Sequence, residues 1–257
     1  SRRGEITVGT LQFTNVDGRL DELISTRSVA NRQVTLYYGP RRGKFSSFST
    51  VSEMIGQDFE NDFDTVSMCV TSTSAYLSEP FHTLRYQGTG GTQGDLGLTD
   101  TFVPVCYGEV RNISPVLERA DVFMYRVHDG EILAVDNVCD GMLPFEYIGD
   151  FATYNALVAH NFTSTGQYAT CLRQGRFRAS FAGQPQWTVT CDVRGDKDAA
   201  GYTDRMGEIL LKIATQRSRI GTANLDVVSF SGLPTGVMGY YSAQEGLACS
   251  DVFDDVL

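Results

Sequence analysis

PVCYGEVRNISPVLERADVFMYRVHDGEILA, Pro104 to Ala134, is the stretch on which the fold turns. It holds short runs rich in β-branched and aromatic residues, VPVCYGEV, DVFMYRV and EILAV. Residues that bend or stop strands separate them: Asn112, Pro115 and the pair Asp129-Gly130. β-branched and aromatic side chains suit a pleated, half-buried surface, and Asp-Gly between two apolar runs is a strong short-range hairpin signal. DVFMYRV-HDG-EILAV is therefore expected to fold back on itself as two antiparallel strands.

The same pattern extends outward. Upstream, EITVGTLQF alternates, with Ile6 and Val8 on one side, and runs into the turn cluster Asn15-Val-Asp17-Gly18. LDELI (20–24) has room for one helical turn, RQVTLYYG is a strand stopped by Gly39-Pro40, and strands flank Gln57 to Asp62. A short helical or irregular exit near Pro80 closes a first β-rich, barrel-like module, placed at 1–86. GTGGTQGDLGL follows, with glycines at 88, 90, 91, 94 and 97. It has no Gly-Lys-Ser/Thr and no GxGxxG in register, so it reads as a flexible linker loop over 87–103 rather than a phosphate cradle.

Downstream, a second β-rich module (104–200) carries one short helix, with Thr153 as its cap and Tyr154, Leu157 and Val158 on one face. GQYATCL, GRFRASF and QWTVTCDVRG are strand-like, and Trp187 alternates with Val189 and Cys191, which predicts a core-facing ring. TDRMGEILLKIATQ is the clearest helix: Thr203 caps it, and Met206, Ile209, Leu210 and Ile213 form one stripe. The 201–257 segment is read as α+β. Ser242 with Glu245 makes a candidate capping box, and Ser250 a candidate cap for a last helix. That helix halts without a stop signal and the chain starts without an initiator Met, so a longer polypeptide continuing past 257 is expected.

The chain has 257 residues, 42% hydrophobic and 20% charged, enough for a sizeable core, and no apolar run reaches the roughly 18 residues of a membrane span. Its net charge of −10 argues against a surface that neutralises nucleic-acid phosphates; the Arg41-Arg42-Gly43-Lys44 cluster is read as a solvated loop tip. Six cysteines, at 69, 106, 139, 171, 191 and 249, form no CxxC pair. Most are expected as buried thiols in a protein made in a reducing cytosol.

Chemistry is thinly represented. His82, His128 and His160 lie in no HExxH or triad motif, and there is no GxSxG. Asp136 and Asp140 make a formal glycosidase pair, and Asp58, Glu60, Asp62 and Asp64 alternate as calcium ligands do, without the glycine an EF-hand loop requires. No catalytic, cofactor-binding or metal site is assigned.

The runs NVDGRLDEL (15–23), RYQGTGG (85–91), YGEVRNISPVL (107–117), YRVHDGEILAVDNVCDG (125–141), GQYATCLRQGRFR (166–178), VTCDVRGD (189–196) and GYTDRMGEILLKI (201–213) carry a resemblance. Over nearly its whole length the chain resembles the tail-tip, or baseplate hub, family of virion structural proteins of long-tailed bacteriophages (siphophages) and prophages. The resemblance implies a mainly β fold of barrel or sandwich-like modules with small α+β elements. It further implies a homo-oligomer, usually a trimer, forming a ring that caps the tail tube, anchors fibre and penetration proteins and gates DNA passage. Partners would be the tail tube, the distal tail and other baseplate or fibre proteins. DNA would only pass through, with no membrane segment and no enzymatic activity, and the location would be the virion tail after synthesis in the bacterial cytoplasm. Two other readings stay open: a receptor- or carbohydrate-binding tail module using Tyr37, Tyr38, Tyr240 and Tyr241, and a cell-wall-degrading enzyme. A distal tail ring is a near neighbour of the first.

Overall fold

The computed structural model describes residues 8–62, 64–218, 220–222, 225–243 and 246–257. The fold is mainly β, with several sheets and few short helices. It divides into two compact units, one running to Glu79 and including Ser218–Leu225, the other comprising Pro80–Arg217 and Asp226–Val256.

The first unit is an antiparallel sheet of β1 (Val8–Thr14), β2 (Arg32–Tyr38), β3 (Ser49–Asp62) and β4 (Thr65–Ser72), in the order β1-β4-β3-β2. A helical turn, α1 (Asp21–Thr26), joins the first two strands. Strict alternation in β4 sends Val66, Met68 and Val70 to one face, where Met68 and Val70 pack with Val29, Leu11, Val34, Met54 and Phe59. Met54 and Phe59 are five apart, so an unbroken strand would put them on opposite faces. A β-bulge at Gln57 adds the residue that restores the register. Beyond it Asp58, Glu60 and Asp62 point to solvent opposite Phe59. β1 and β2 remain as open edges, so this sheet is not closed into the expected barrel within the described residues.

The second unit stacks two sheets. One is six-stranded: β5 (Val105–Ile113), β8 (Ile132–Asp140), β9 (Leu143–Pro144), β13 (Val189–Asp198) and β15 (Gly239–Ser242) run in the order β15-β5-β13-β8-β9, with β14 (Gly201–Tyr202) off β13. The other is five-stranded: β6 (Val116–Arg119), β7 (Met124–Arg126), β10 (Glu146–Asp150), β11 (Gln167–Cys171) and β12 (Arg176–Ala179), in the order β10-β11-β12-β7-β6. The core between them draws on both: Cys106, Val135, Val138, Cys191 and Val193 meet Tyr125, Tyr168 and Phe177. Tyr125 stacks on Phe177 with ring centroids 5.1 Å apart.

Each sheet is covered again on its outer face. Helix α2 (Tyr154–Ala159), whose Thr153 cap accepts from the Ala156 amide, packs Tyr154 and Leu157 on Met124, Ala169 and Cys171. At its other end Arg178 donates to the carbonyls of Leu157, Val158 and His160. Helix α3 (Met206–Gln216) buries Ile209, Leu210 and Ile213 completely. Against it lie α4 (Val227–Ser231) and α5 (Cys249–Val256). A Cβ at Gly207 would sit 1.9 Å from the Phe230 carbonyl, so only glycine admits α4 at that distance.

Several expectations are corrected. DVFMYRV and EILAV do not pair: β7 lies between β6 and β12, while β8 joins β13 in the other sheet. Neither Asp129 nor Gly130 has the positive φ of a hairpin turn. The segment instead crosses from one sheet to the other, held by hydrogen bonds described below. The glycine-rich 87–103 stretch is no linker; it belongs to the second unit. Trp187 is 57% exposed, because β13 begins only at Val189 and the ring lies over Gly141. Thr203 is not the α3 cap: Arg205 occupies that position, and Thr203 accepts from the Arg205 amide and donates to Glu208. Helix α5 starts at Cys249, so Ser250 lies inside it, and Asp251 accepts from the Ala248 amide instead. Ser242 is in β15; Glu245 and Ile6 lie outside the described residues.

Candidate functional site

In the antiparallel pairing of β7 and β12, Arg126 stands directly opposite Arg176. Like charges in that register repel, and both side chains are buried. A third strand supplies the remedy. β6 carries a bulge between Leu117 and Arg119, which turns the Glu118 side chain inward, where it is 0% exposed. Arg176 Nε donates to Glu118 Oε2 at 2.6 Å and Nη2 to Oε1 at 2.9 Å, while Arg126 Nη1 reaches Oε1 at 3.3 Å. One carboxylate thus answers two guanidiniums. Burial, and next the nearby Arg176, lower the Arg126 pKa from its ordinary value.

The glycine-rich loop closes over this trio. Gly88 N donates to Gln93 O, Gly90 N to Gly94 O, and Asp95 N to Glu118 O, and Arg176 Nη2 takes the Thr92 carbonyl at 3.3 Å. Gly90 (φ 84°, ψ −179°) and Gly94 (φ 73°, ψ 162°) occupy backbone conformations essentially confined to glycine. A Cβ at Gly94 would also lie 2.8 Å from the Tyr86 ring. Between loop and strands is a cleft of about 420 Å³ whose lining includes Arg85, Tyr86, Arg126, Arg173, Gln174 and Arg176. Tyr86 is 1% exposed, and the Arg126 guanidinium carbon lies 5.8 Å from its ring centroid. The Gln174 Oε1 is buried without a hydrogen-bond partner among the described residues.

A second polar network adjoins the cleft through Asp129. The Cys106 amide donates to His128 Nδ1 at 3.0 Å, so the ring proton sits on Nε2, 3.4 Å from Asp129 Oδ1 and 3.5 Å from Asp196 Oδ1. Arg217 grips both Asp129 oxygens, at 2.5 and 2.8 Å, and donates through Nε to the Tyr107 hydroxyl; Lys212 holds Asp196 at 2.9 Å. Burial opposes ionisation of both carboxyls, but their partners outweigh it: Arg217 and His128 hold Asp129, and His128 and Lys212 hold Asp196, below the usual carboxylate range.

The other residues singled out by sequence are dispersed. His82 is buried, with Nδ1 donating to the Val103 carbonyl at 3.1 Å and Nε2 facing the Ser242 hydroxyl at 3.1 Å; burial lowers its pKa. His160 packs against Phe151 at a tilt and edge-on to Phe162. Asp136 pairs with Arg194 at 3.0 Å, whereas Asp140 accepts from the amides of Gln186 and Trp187, so the two carboxylates serve separate structural tasks. Among the described residues no three His, Cys, Asp or Glu side chains gather to hold a metal ion, and no helix is long and apolar enough to cross a membrane. Arg41, Arg42 and Lys44 are exposed. Tyr38 is 77% exposed, and Tyr37 is half-exposed against Phe45. Tyr240 and Tyr241, expected on the surface, are part-buried in β15, their hydroxyls donating to Asp255 and to the Ser114 carbonyl. Sequence reading passed over Glu118, Arg126 and Arg176. The available signal was an arginine at the second face of DVFMYRV and GRFRASF, strands whose first face is already apolar. In comparisons with known proteins, no family model, no curated protein and no solved structure matches the chain.

Proposed function

We propose that the chain is a structural component of a bacteriophage tail tip, a hub-type subunit that assembles with copies of itself, as a trimer, and with adjoining tail proteins around a DNA passage. Its work is to hold shape and bury interfaces. The observation that carries this reading is the surface of the first unit. β2 is an open edge whose two faces both expose apolar side chains, Leu36 and Tyr38 on one and Tyr37 with Phe45 on the other, and Val51 adds to them from β3. Exposed apolar edges are a liability in a protein that acts alone and an asset in one that is covered on assembly. The same unit also carries an apolar groove of about 180 Å³ between α1 and the sheet, lined by Phe13, Leu23, Ile24, Phe59, Val66 and Met68. The resemblance in the YRVHDGEILAVDNVCDG and GQYATCLRQGRFR runs supports the same reading, and net negative charge suits a passage that must not retain DNA.

Labelling particles with an antibody against this chain tests it. Label at the tail tip, and a trimer of the purified protein by light scattering, are expected. A protein that stays monomeric at high concentration and never appears on particles would overturn the proposal.

A further inference from the structure

The arginine-lined cleft has an imbalance that the fold leaves standing. Arg85, Arg126, Arg173 and Arg176 all face it. The Asp129 carboxylate on its wall is engaged by Arg217 through both oxygens, and Glu118 beneath pairs with Arg126 and Arg176, which leaves Arg85 and Arg173 with no carboxylate partner among the described residues. Arg173 is exposed and makes no hydrogen bond or ion pair among the described residues. Arg85 is spent only on the Asp100 carbonyl and on the Phe102 ring, 3.8 Å away, neither of which neutralises it. All this occurs in a chain whose net charge is −10. A concave, positively charged site with guanidinium forks matches an oxyanion, which it can take bidentately.

The cleft is also too large for a bare ion. Its volume of about 420 Å³ lies in the range of small-molecule sites. Buried beside the arginines is an acceptor with no donor, Gln174 Oε1. Leaving such a group unpaired costs about 1–3 kcal/mol, which a ligand hydroxyl placed against it would relieve. From these features we infer that the cleft binds a small hydroxylated oxyanion, its phosphate or carboxylate on Arg173 and Arg85, and a hydroxyl donating to Gln174 Oε1. Phosphate esters of polyols and hydroxycarboxylates share this chemistry. The inference is independent of the tail-tip reading, since it concerns one chain's own cleft.

Titration calorimetry of the full chain at low salt, with glycerol 3-phosphate, citrate and inorganic phosphate as separate probes, tests it. Saturable binding of one of the two hydroxylated probes is expected, at least several-fold tighter than inorganic phosphate and weakening as salt is raised. Which of the two binds decides between phosphate and carboxylate. Arg173→Ala, at an exposed position, should weaken binding about tenfold without moving the melting temperature of the free protein. Gln174→Leu should erase the preference for the hydroxylated probe. Absence of saturable binding by either hydroxylated probe, equal affinity for inorganic phosphate, or binding unchanged in Arg173→Ala would each overturn the inference.

Discussion

Glu118 illustrates what one side chain can be made to carry. It touches Arg176 twice and Arg126 once, from a bulge that exists to aim it. Taking ions out of water costs several kcal/mol each, and removing one partner of a buried set strands the rest, typically at about 3–5 kcal/mol. Glu118→Ala is therefore expected to lower unfolding free energy by about that amount, read from the urea midpoint at constant slope; a loss under about 1 kcal/mol would mean that Arg126 and Arg176 reach water. His82 makes a pH prediction. Burial depresses its pKa in the folded chain below the unfolded 6.5. The unfolded state then binds the proton more readily, so stability is lost as pH falls below about 6.5. His82→Gln should flatten the melting-temperature profile between about pH 6.5 and 5 relative to the parent chain. Asp129 and Asp196 act lower: their depressed values contribute stability that is present above about pH 4 and fades as pH drops further.

At the scale of elements, local patterns were legible and partner choice was not. The α3 stripe, the Thr153 cap and the alternation of β4 follow from residue spacing alone, because each is settled within a turn or two of chain. The Asp129-Gly130 pair misled because the dipeptide permits a hairpin without requiring one: Arg126 donating to the His128 and Asp129 carbonyls, and Arg217 binding the Asp129 carboxylate from 88 residues away, fix a crossing instead. The glycine-rich loop misled in the opposite sense. Its glycines supply backbone angles for a tight cover, and the carbonyl it presents at Thr92 has meaning only once Arg176 is beneath it. Gly94→Ala should cost about 1–3 kcal/mol from the backbone conformation alone, with further loss from the Tyr86 contact. A variant as stable as the parent in a thermal melt would return the loop to the status of a flexible segment. The arginine cleft itself was not legible, since it assembles from Arg85, Arg126 and the 173–176 run, which lie far apart along the chain.

Taken whole, the molecule distributes its stability unevenly. The second unit encloses a core between two sheets and covers both outer faces, whereas the first has one covered sheet face and, among the described residues, two unpaired edges. Local opening follows buried apolar contact, so amides in β5, β8, β11 and β13 should exchange with solvent much more slowly than those in β1 and β2. Equal protection across the chain would contradict the packing described. Assembly through the first unit would raise its protection alone, giving exchange measurements a second use. The trio of Glu118 and its two arginines also constrains the history open to this sequence. Apolar side chains of matching volume at all three positions would serve as well or better, yet any path that changes them singly passes through a poorly folding ancestor, so related chains should keep all three or none.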